Sequence, residues 1–262
     1  MTEPTVLVSR DDRGVTTVTL NRPALHNAFD EALIQTLIET FESVGRDESC
    51  RAMVLAGAGK SFSAGGDLNW MRRMADYSYA ENLADAGELA RLMRTLDRLP
   101  KRTVARVHGS VFAGGLGLVA CCDIAVAEQG TVFSVSEARL GLVPSVISPY
   151  LIRAIGARAA RRYFLTAERF SAAEAHRIGL VHEVVPAVVL DVKVEAIVAA
   201  LLEGGPTSQA RSKRLISEVT DRPIEQSVIE ITARTIAEAR ASDEAREGLA
   251  AFFEKRKPKW PD

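Results

Sequence analysis

Two short stretches are rich in glycine and other small residues: AGKSFSAGGDLNWM (58–71) and FAGGLGLVACCDI (112–124). Gly65–Gly66 and Gly114–Gly115 permit backbone angles closed to other residues and let a ligand come close. Asp67 reads as the start of a helix, and the apolar run after Gly115 reads as another. Backbone N–H groups at such starts point outward and can hold an anion or a developing oxyanion. Either loop alone also fits an ordinary strand-to-helix turn; two of a kind suggest a pair of donors, which an enolate or tetrahedral oxyanion needs. Neither loop has the G-x-x-x-x-G-K-[ST] pattern of a phosphate loop or the spacing of a dinucleotide fingerprint. A third candidate is Glu137 in FSVSEARLGLVP. A carboxylate in apolar surroundings can act as general acid or base; a Glu paired with nearby Arg139 fits the same residues.

The elements that must position these groups follow from the pattern. Thr5–Arg10 and Gly14–Leu20 read as strands around the turn DDRG. The loop NRPALHNAFD ends at Asp30, a good N-cap for a helix over Glu31–Val44. Ala52–Ala56 and Thr103–Val107 read as short apolar strands, each leading into a glycine loop. Glu81–Leu99 has helical spacing and stops at Pro100. The polar stretch 72–82 reads as a mobile flap, with Trp70, Met71 and Met74 either lining a pocket or packing a helix face. Ile124–Ala127, Thr131–Phe133 and Val181–Val185 are strand pieces. Ala157–Leu165, Ser171–Ile178 (with a Ser171/Glu174 capping box), Leu190–Leu202, Ser208–Val219, Ile224–Ala239 and Asp243–Lys255 read as helices.

Composition narrows the class. The 262 residues are 47% hydrophobic and 26% charged, the balance of a soluble globular protein, with a net charge of −1 that steers toward neither nucleic acid nor an anionic membrane. No apolar run is long enough to span a bilayer, and the first residues lack a signal-peptide pattern. Cys50, Cys121 and Cys122 have no metal-ligand spacing and read as reduced thiols of a cytoplasmic protein; the scattered histidines predict no metal. Asp123 reads as a structural hydrogen-bonding residue.

Four segments in order, NRPALHNAF, FSAGGDLNWM, VHGSVFAGGLGLVACCDIAVA and FSVSEARLGLVP, resemble the crotonase superfamily of enoyl-CoA hydratases and isomerases, and FFEKRKPKW resembles that family's ending. The resemblance implies an α/β fold: a crotonase-like spiral of ββα units over 1–195, then a helical C-terminal trimerisation region over 196–262 that completes the CoA site and subunit contacts. It implies an acyl-CoA substrate, no prosthetic group, and a homotrimer or dimer of trimers. The N–H groups of Ala64 and Gly114 are the matched thioester-oxygen donors, worth roughly 3–4 kcal/mol each in other oxyanion holes. Leu25, His26, Ala28, Gly66, Asp67 and Leu68 are matched to positions along CoA, and Lys255 to a lysine near its phosphates.

The sequence departs from typical hydratases of that family at Gly117, where they carry a first glutamate; the second is present as Glu137. One carboxylate suits the single proton shuttle of a 3,2-enoyl-CoA isomerase. Against that, the run from GGLGLVACCDIA through SEARLGLVPSVISPY is similar to a hydratase branch acting on branched glutaconyl-CoA thioesters such as 3-methylglutaconyl-CoA. Val146 and Ile147 are expected to reshape the acyl pocket, and Gly117 to open space opposite Glu137. A non-catalytic CoA-binding protein and an RNA-binding protein are the alternatives of another class.

Overall fold

The computed structural model describes residues 3–260. Its larger sheet runs in the order β1-β2-β3-β4-β6-β9: β1 (Val6–Arg10), β2 (Val15–Leu20), β3 (Ala52–Gly57), β4 (Arg102–Val107), β6 (Ile124–Glu128) and β9 (Glu183–Val185). Only the β1/β2 hairpin is antiparallel, in register Val6↔Leu20; the other neighbours are parallel. Parallel neighbours need crossovers long enough to return the chain, and α1 (Glu31–Arg46) is the first of them. Asp30 caps it, its Oδ1 accepting from the Leu33 N–H at 2.8 Å.

Residues alternate between the two faces of this sheet. Val18, Leu20, Met53, Leu55, Ala105 and Val107 face the main core, which α1 fills with Leu33, Ile34, Leu37, Ile38, Phe41 and Val44. Each such side chain stabilises the fold by roughly 1.5–3 kcal/mol on burial. Val15, Val54, Val104 and Val126 face the other way, against Leu190, Val194 and Val198 of α7 (Leu190–Glu203).

A second sheet of three short strands, β5 (Ser110–Phe112), β7 (Val132–Ser134) and β8 (Phe170–Ser171), stacks successive turns of the chain. The order β4–β5–α4 (Gly114–Cys121), then β6–β7–α5 (Ser148–Thr166), is the expected ββα spiral. An earlier turn runs from β3 through an isolated bridge, Ser63↔Val111, into α2 (Leu68–Met74) and α3 (Tyr79–Asp97).

Several details differ from the expected elements. The expected helix over Ala157–Leu165 is the second half of α5, which begins at Ser148 with Pro149 in its first turn and bends at Gly156, φ +72°. Proline in a first turn is a helix-start signal, and PSVISPY carried it. Ser171 does cap α6 (Ala172–Arg177), accepting from the Glu174 N–H at 3.2 Å, but the Glu174 carboxylate is taken by Tyr163 and Arg177 and does not close a capping box. The stretch 72–82 is the end of α2, a turn, and the start of α3, capped reciprocally by Ser78 and Glu81.

After α7 come α8 (Pro206–Val219), α9 (Gln226–Arg240) and α10 (Asp243–Phe253). These three bury only Val228 and Ala251, and leave Ile229, Leu249, Phe252 and Phe253 exposed. Lys213 joins α8 to the core by a 3.0 Å ion pair with Asp123, whose carboxylate also accepts from the Thr103 N–H and hydroxyl. Asp123 is thus the structural residue it was expected to be. Among the described residues no helix is long and apolar enough to cross a membrane, and no group of three or more His, Cys, Asp or Glu could hold a metal ion.

Candidate active site

Arg22 and Asn27 build the floor of the site, and neither stood out in the sequence. Asn27 is fully buried in a left-handed conformation (φ +55°) that Asn tolerates better than most residues. Its Nδ2 donates to the carbonyls of Ala58 (2.9 Å) and Ser61 (2.8 Å), and its Oδ1 accepts from the Arg22 N–H at 2.8 Å. That fastens 22–28 to the loop after β3. The Arg22 guanidinium reaches the Ala28 carbonyl (2.6 Å), Asp30 (2.9 Å) and Asp67 (3.1 Å). Asp67 also caps α2 through the N–H groups of Asn69 and Trp70. Burial raises its carboxyl, but these backbone donors and Arg22 outweigh it and hold the carboxyl below its usual value. Its carboxylate is therefore a structural pin.

The N–H groups of the first glycine loop can be accounted for one by one. Ala64 donates to the His26 carbonyl at 2.9 Å and Asp67 to the Phe29 carbonyl at 2.7 Å; Gly65 lies 3.5 Å from the Ser63 hydroxyl. The Gly66 N–H has no partner among the described residues. This corrects the expected donor: the Ala64 N–H is committed within the fold, and the group left free is two residues further on.

The second loop is pressed onto the first. Phe112 donates to the Ser63 carbonyl at 2.9 Å and Ser63 to Ser110 at 3.2 Å. A Cβ on Gly65 (φ +92°) would lie 3.0 Å from the Ala113 Cβ, and one on Gly115 would lie 2.8 Å from the Ser63 carbonyl oxygen. Glycine is required at both places for the loops to meet. Ala113 carries φ +45°, a conformation that costs a non-glycine residue of order 1–3 kcal/mol and recurs at functional sites. It turns the chain so that Gly114 opens α4 with an N–H that also lacks a partner among the described residues. Two unpaired N–H groups thus flank one junction.

Glu137 reaches this junction through β7: the Ala113 N–H donates to the Ser134 carbonyl at 3.0 Å, three residues before Glu137. Glu137 opens a short 3-10 turn, and its Oε2 is buried with no hydrogen-bond partner among the described residues. Burial pushes its carboxyl above the usual range, against a smaller pull from the amides of Glu137 and Ser136. Arg139 is exposed and forms no ion pair with it. A carboxylate with one unpartnered oxygen, on the turn after a strand bonded to this junction, can move a proton, and free N–H donors can hold a developing oxyanion.

Gly117 does not open space. A Cβ there would meet Ile147 Cγ2 at 2.5 Å and Met93 Sδ at 2.9 Å, so two side chains already fill the volume it was expected to free. Ile147 is buried in the core against Gly117, and Val146 packs half-buried on that core. Among the other expected positions, Ala28 is buried, Leu25 and Leu68 are exposed, and His26 Nδ1 lies 3.0 Å from the Ser61 hydroxyl. Lys255 is exposed after α10, and none of its hydrogen bonds reaches the glycine loops; the neighbouring tail is tied instead to Glu247 and Glu203.

Residues 10–262 match the family model described as enoyl-CoA hydratase/isomerase. The chain belongs to that family. An enoyl-CoA hydratase from Shewanella pealeana superposes with a TM-score of 0.95 at 46% identity, covering 98% of this chain and 96% of that one. Mycobacterium tuberculosis enoyl-CoA hydratase EchA19 is 34% identical over 97% of this chain and 96% of its own length. Escherichia coli 2,3-dehydroadipyl-CoA hydratase is 31% identical, covering 97% of both. With the fold described above, this makes the protein an enzyme of the hydratase/isomerase family, whose chemistry is carried out on CoA thioesters.

Proposed function

We propose that this enzyme adds water across the 2,3 double bond of an enoyl-CoA, with a branched or carboxylated acyl group of the glutaconyl type as substrate. The Gly66 and Gly114 N–H groups hold the thioester oxygen. Glu137 takes a proton from water as its oxygen bonds to Cβ; the Cα=Cβ electron pair moves toward the thioester, and the enolate collapses as Cα takes that proton back from Glu137. Donors fixed in advance stabilise the enolate with little reorganisation. The observation that carries this reading is the buried, unpartnered Glu137 Oε2 on the turn after β7, the strand bonded to the junction that holds two unpaired glycine N–H groups. The hydratase names of the relatives, one of them named for a dicarboxylic enoyl-CoA, support the direction and the acyl class.

Leu25, His26, Ala28, Gly66, Asp67 and Leu68 are read as lying along the CoA, with Lys255 near its phosphates. A second copy of the chain is read as covering the apolar faces of α8–α10, in a trimer or dimer of trimers, with 196–262 as the assembling region.

One observation favours a second reaction. Ile147 and Met93 occupy the place where a second carboxylate would stand, and one carboxylate suffices to shuttle a proton in 3,2-enoyl-CoA isomerisation. A mass-resolved assay with 3-methylglutaconyl-CoA and a 3-enoyl-CoA separates them. A product of the first heavier by one water supports the hydratase; an unchanged mass with conjugation of the second makes the enzyme an isomerase. No reaction with either overturns both.

A further inference from the structure

One side chain ties the first turns of α3 to α2. Residues 79–90 hold no fully buried side chain, only Leu89 of them packs half-buried against the core, and among the described residues their hydrogen bonds are local except one: the Trp70 Nε1–H donates to Asp85 Oδ1 at 3.1 Å. Burial of α3 begins only at Leu92, Met93 and Leu96. Trp70 itself is 5% exposed, and its ring edge faces the first glycine loop: a Cβ on Gly66 would lie 3.6 Å from Trp70 Cε3 and 3.3 Å from Met71 Sδ. The indole therefore connects two things, the backbone beside the free Gly66 N–H and the first turns of α3, which lie ahead of the helix's first core contact at Leu89. An indole N–H accepts no alternative but a hydrogen-bond acceptor when buried, so the position of the Asp85 carboxylate dictates the ring's tilt.

We infer that Asp85 is a positioning residue that fixes the Trp70 indole against Gly66 and thereby limits the bulk of the acyl group that can approach the Gly66 N–H. This rests on the reading of Gly66 as a thioester-oxygen donor. Asp85 touches no reacting atom; it acts through Trp70. Removing it frees both the ring and the first turns of α3, widening the approach for a branched acyl group more than for a straight one.

The test uses the full-length chain with Trp260→Phe, which leaves Trp70 as its sole tryptophan. Asp85→Ala, Asp85→Asn and Trp70→Phe are compared in that background. Binding is measured with butanoyl-CoA and 3-methylbutanoyl-CoA, saturated thioesters that cannot be hydrated; the outcome therefore does not depend on the proposed activity, whose failure would show separately as absent turnover. Trp70 emission reports binding in the first two variants, and calorimetry reports it in Trp70→Phe. Asp85→Ala is expected to red-shift Trp70 emission in the free protein. The affinity ratio of branched over straight thioester is expected to rise about tenfold, the size of a lost hydrogen bond to a charged group. Asp85→Asn keeps a carbonyl acceptor and is expected to stay within about threefold of the parent. Trp70→Phe, which cannot donate, is expected to follow Asp85→Ala. An unshifted emission in Asp85→Ala overturns the inference, as does equal weakening of both thioesters without rescue by Asn.

Discussion

Replacing Glu137 by Gln keeps the shape of the side chain and removes its charge and its proton. A positioned general acid–base contributes about 10²–10⁴-fold, or roughly 3–5 kcal/mol of barrier, and Glu137 is the one carboxylate for which the site geometry offers that role. Turnover should fall by that factor with KM nearly unchanged, because no binding contact is lost. The same substitution should make the fold more stable. Burial raises the Glu137 carboxyl in the folded chain, so the folded state holds this proton more tightly than the unfolded state does. Its contribution to stability is complete at a pH below the unfolded carboxyl value of about 4.3 and is lost as pH rises through the folded value. Gln titrates nowhere in this range. The variant should therefore gain on the wild type near neutral pH, and the gain should shrink in acid. Enoyl absorbance gives the rate; urea midpoints at a series of pH values give the stability. Near-full turnover refutes the catalytic role, and a variant less stable than wild type at neutral pH refutes the account of the buried carboxylate.

Gly117→Ala places a methyl against Ile147 Cγ2, and overpacking of about 1–3 kcal/mol should exceed the helix-propensity gain of about 1 kcal/mol. Adding Ile147→Leu, which removes that γ-methyl branch, should restore the urea midpoint. Asn27→Leu strands the carbonyls of Ala58 and Ser61 and the N–H of Arg22, at about 1–3 kcal/mol each, and should lower the melting temperature by many degrees; an unchanged melting curve would contradict its role as the floor of the site. Phe252→Glu with Phe253→Glu should lower the mass seen by light scattering if α10 meets a second copy, and an unchanged mass would exclude that face.

The local sequence determined where helices begin and which strands are central. Asp30, Ser78 and Ser171 each cap a helix because a short polar side chain satisfies an orphan N–H within three residues, and that is written in adjacent positions. The apolar run AMVLA is a strand buried on both faces because the sheet is covered on both sides. The motif match singled out the two glycine loops, which the fold brings together, and Glu137, which follows the strand bonded to the second loop. What the sequence could not determine was which backbone groups stay free. Whether the Ala64 N–H is available depends on the carbonyl of His26, and that pairing is made by the buried Asn27. Whether Gly117 leaves room depends on Ile147 and Met93, from two other helical segments. Local periodicity encodes elements, because side chains repeat along them with fixed spacing. The partners of a single N–H and the filling of a single gap are set by segments far apart in the chain, and only packing in three dimensions decides them.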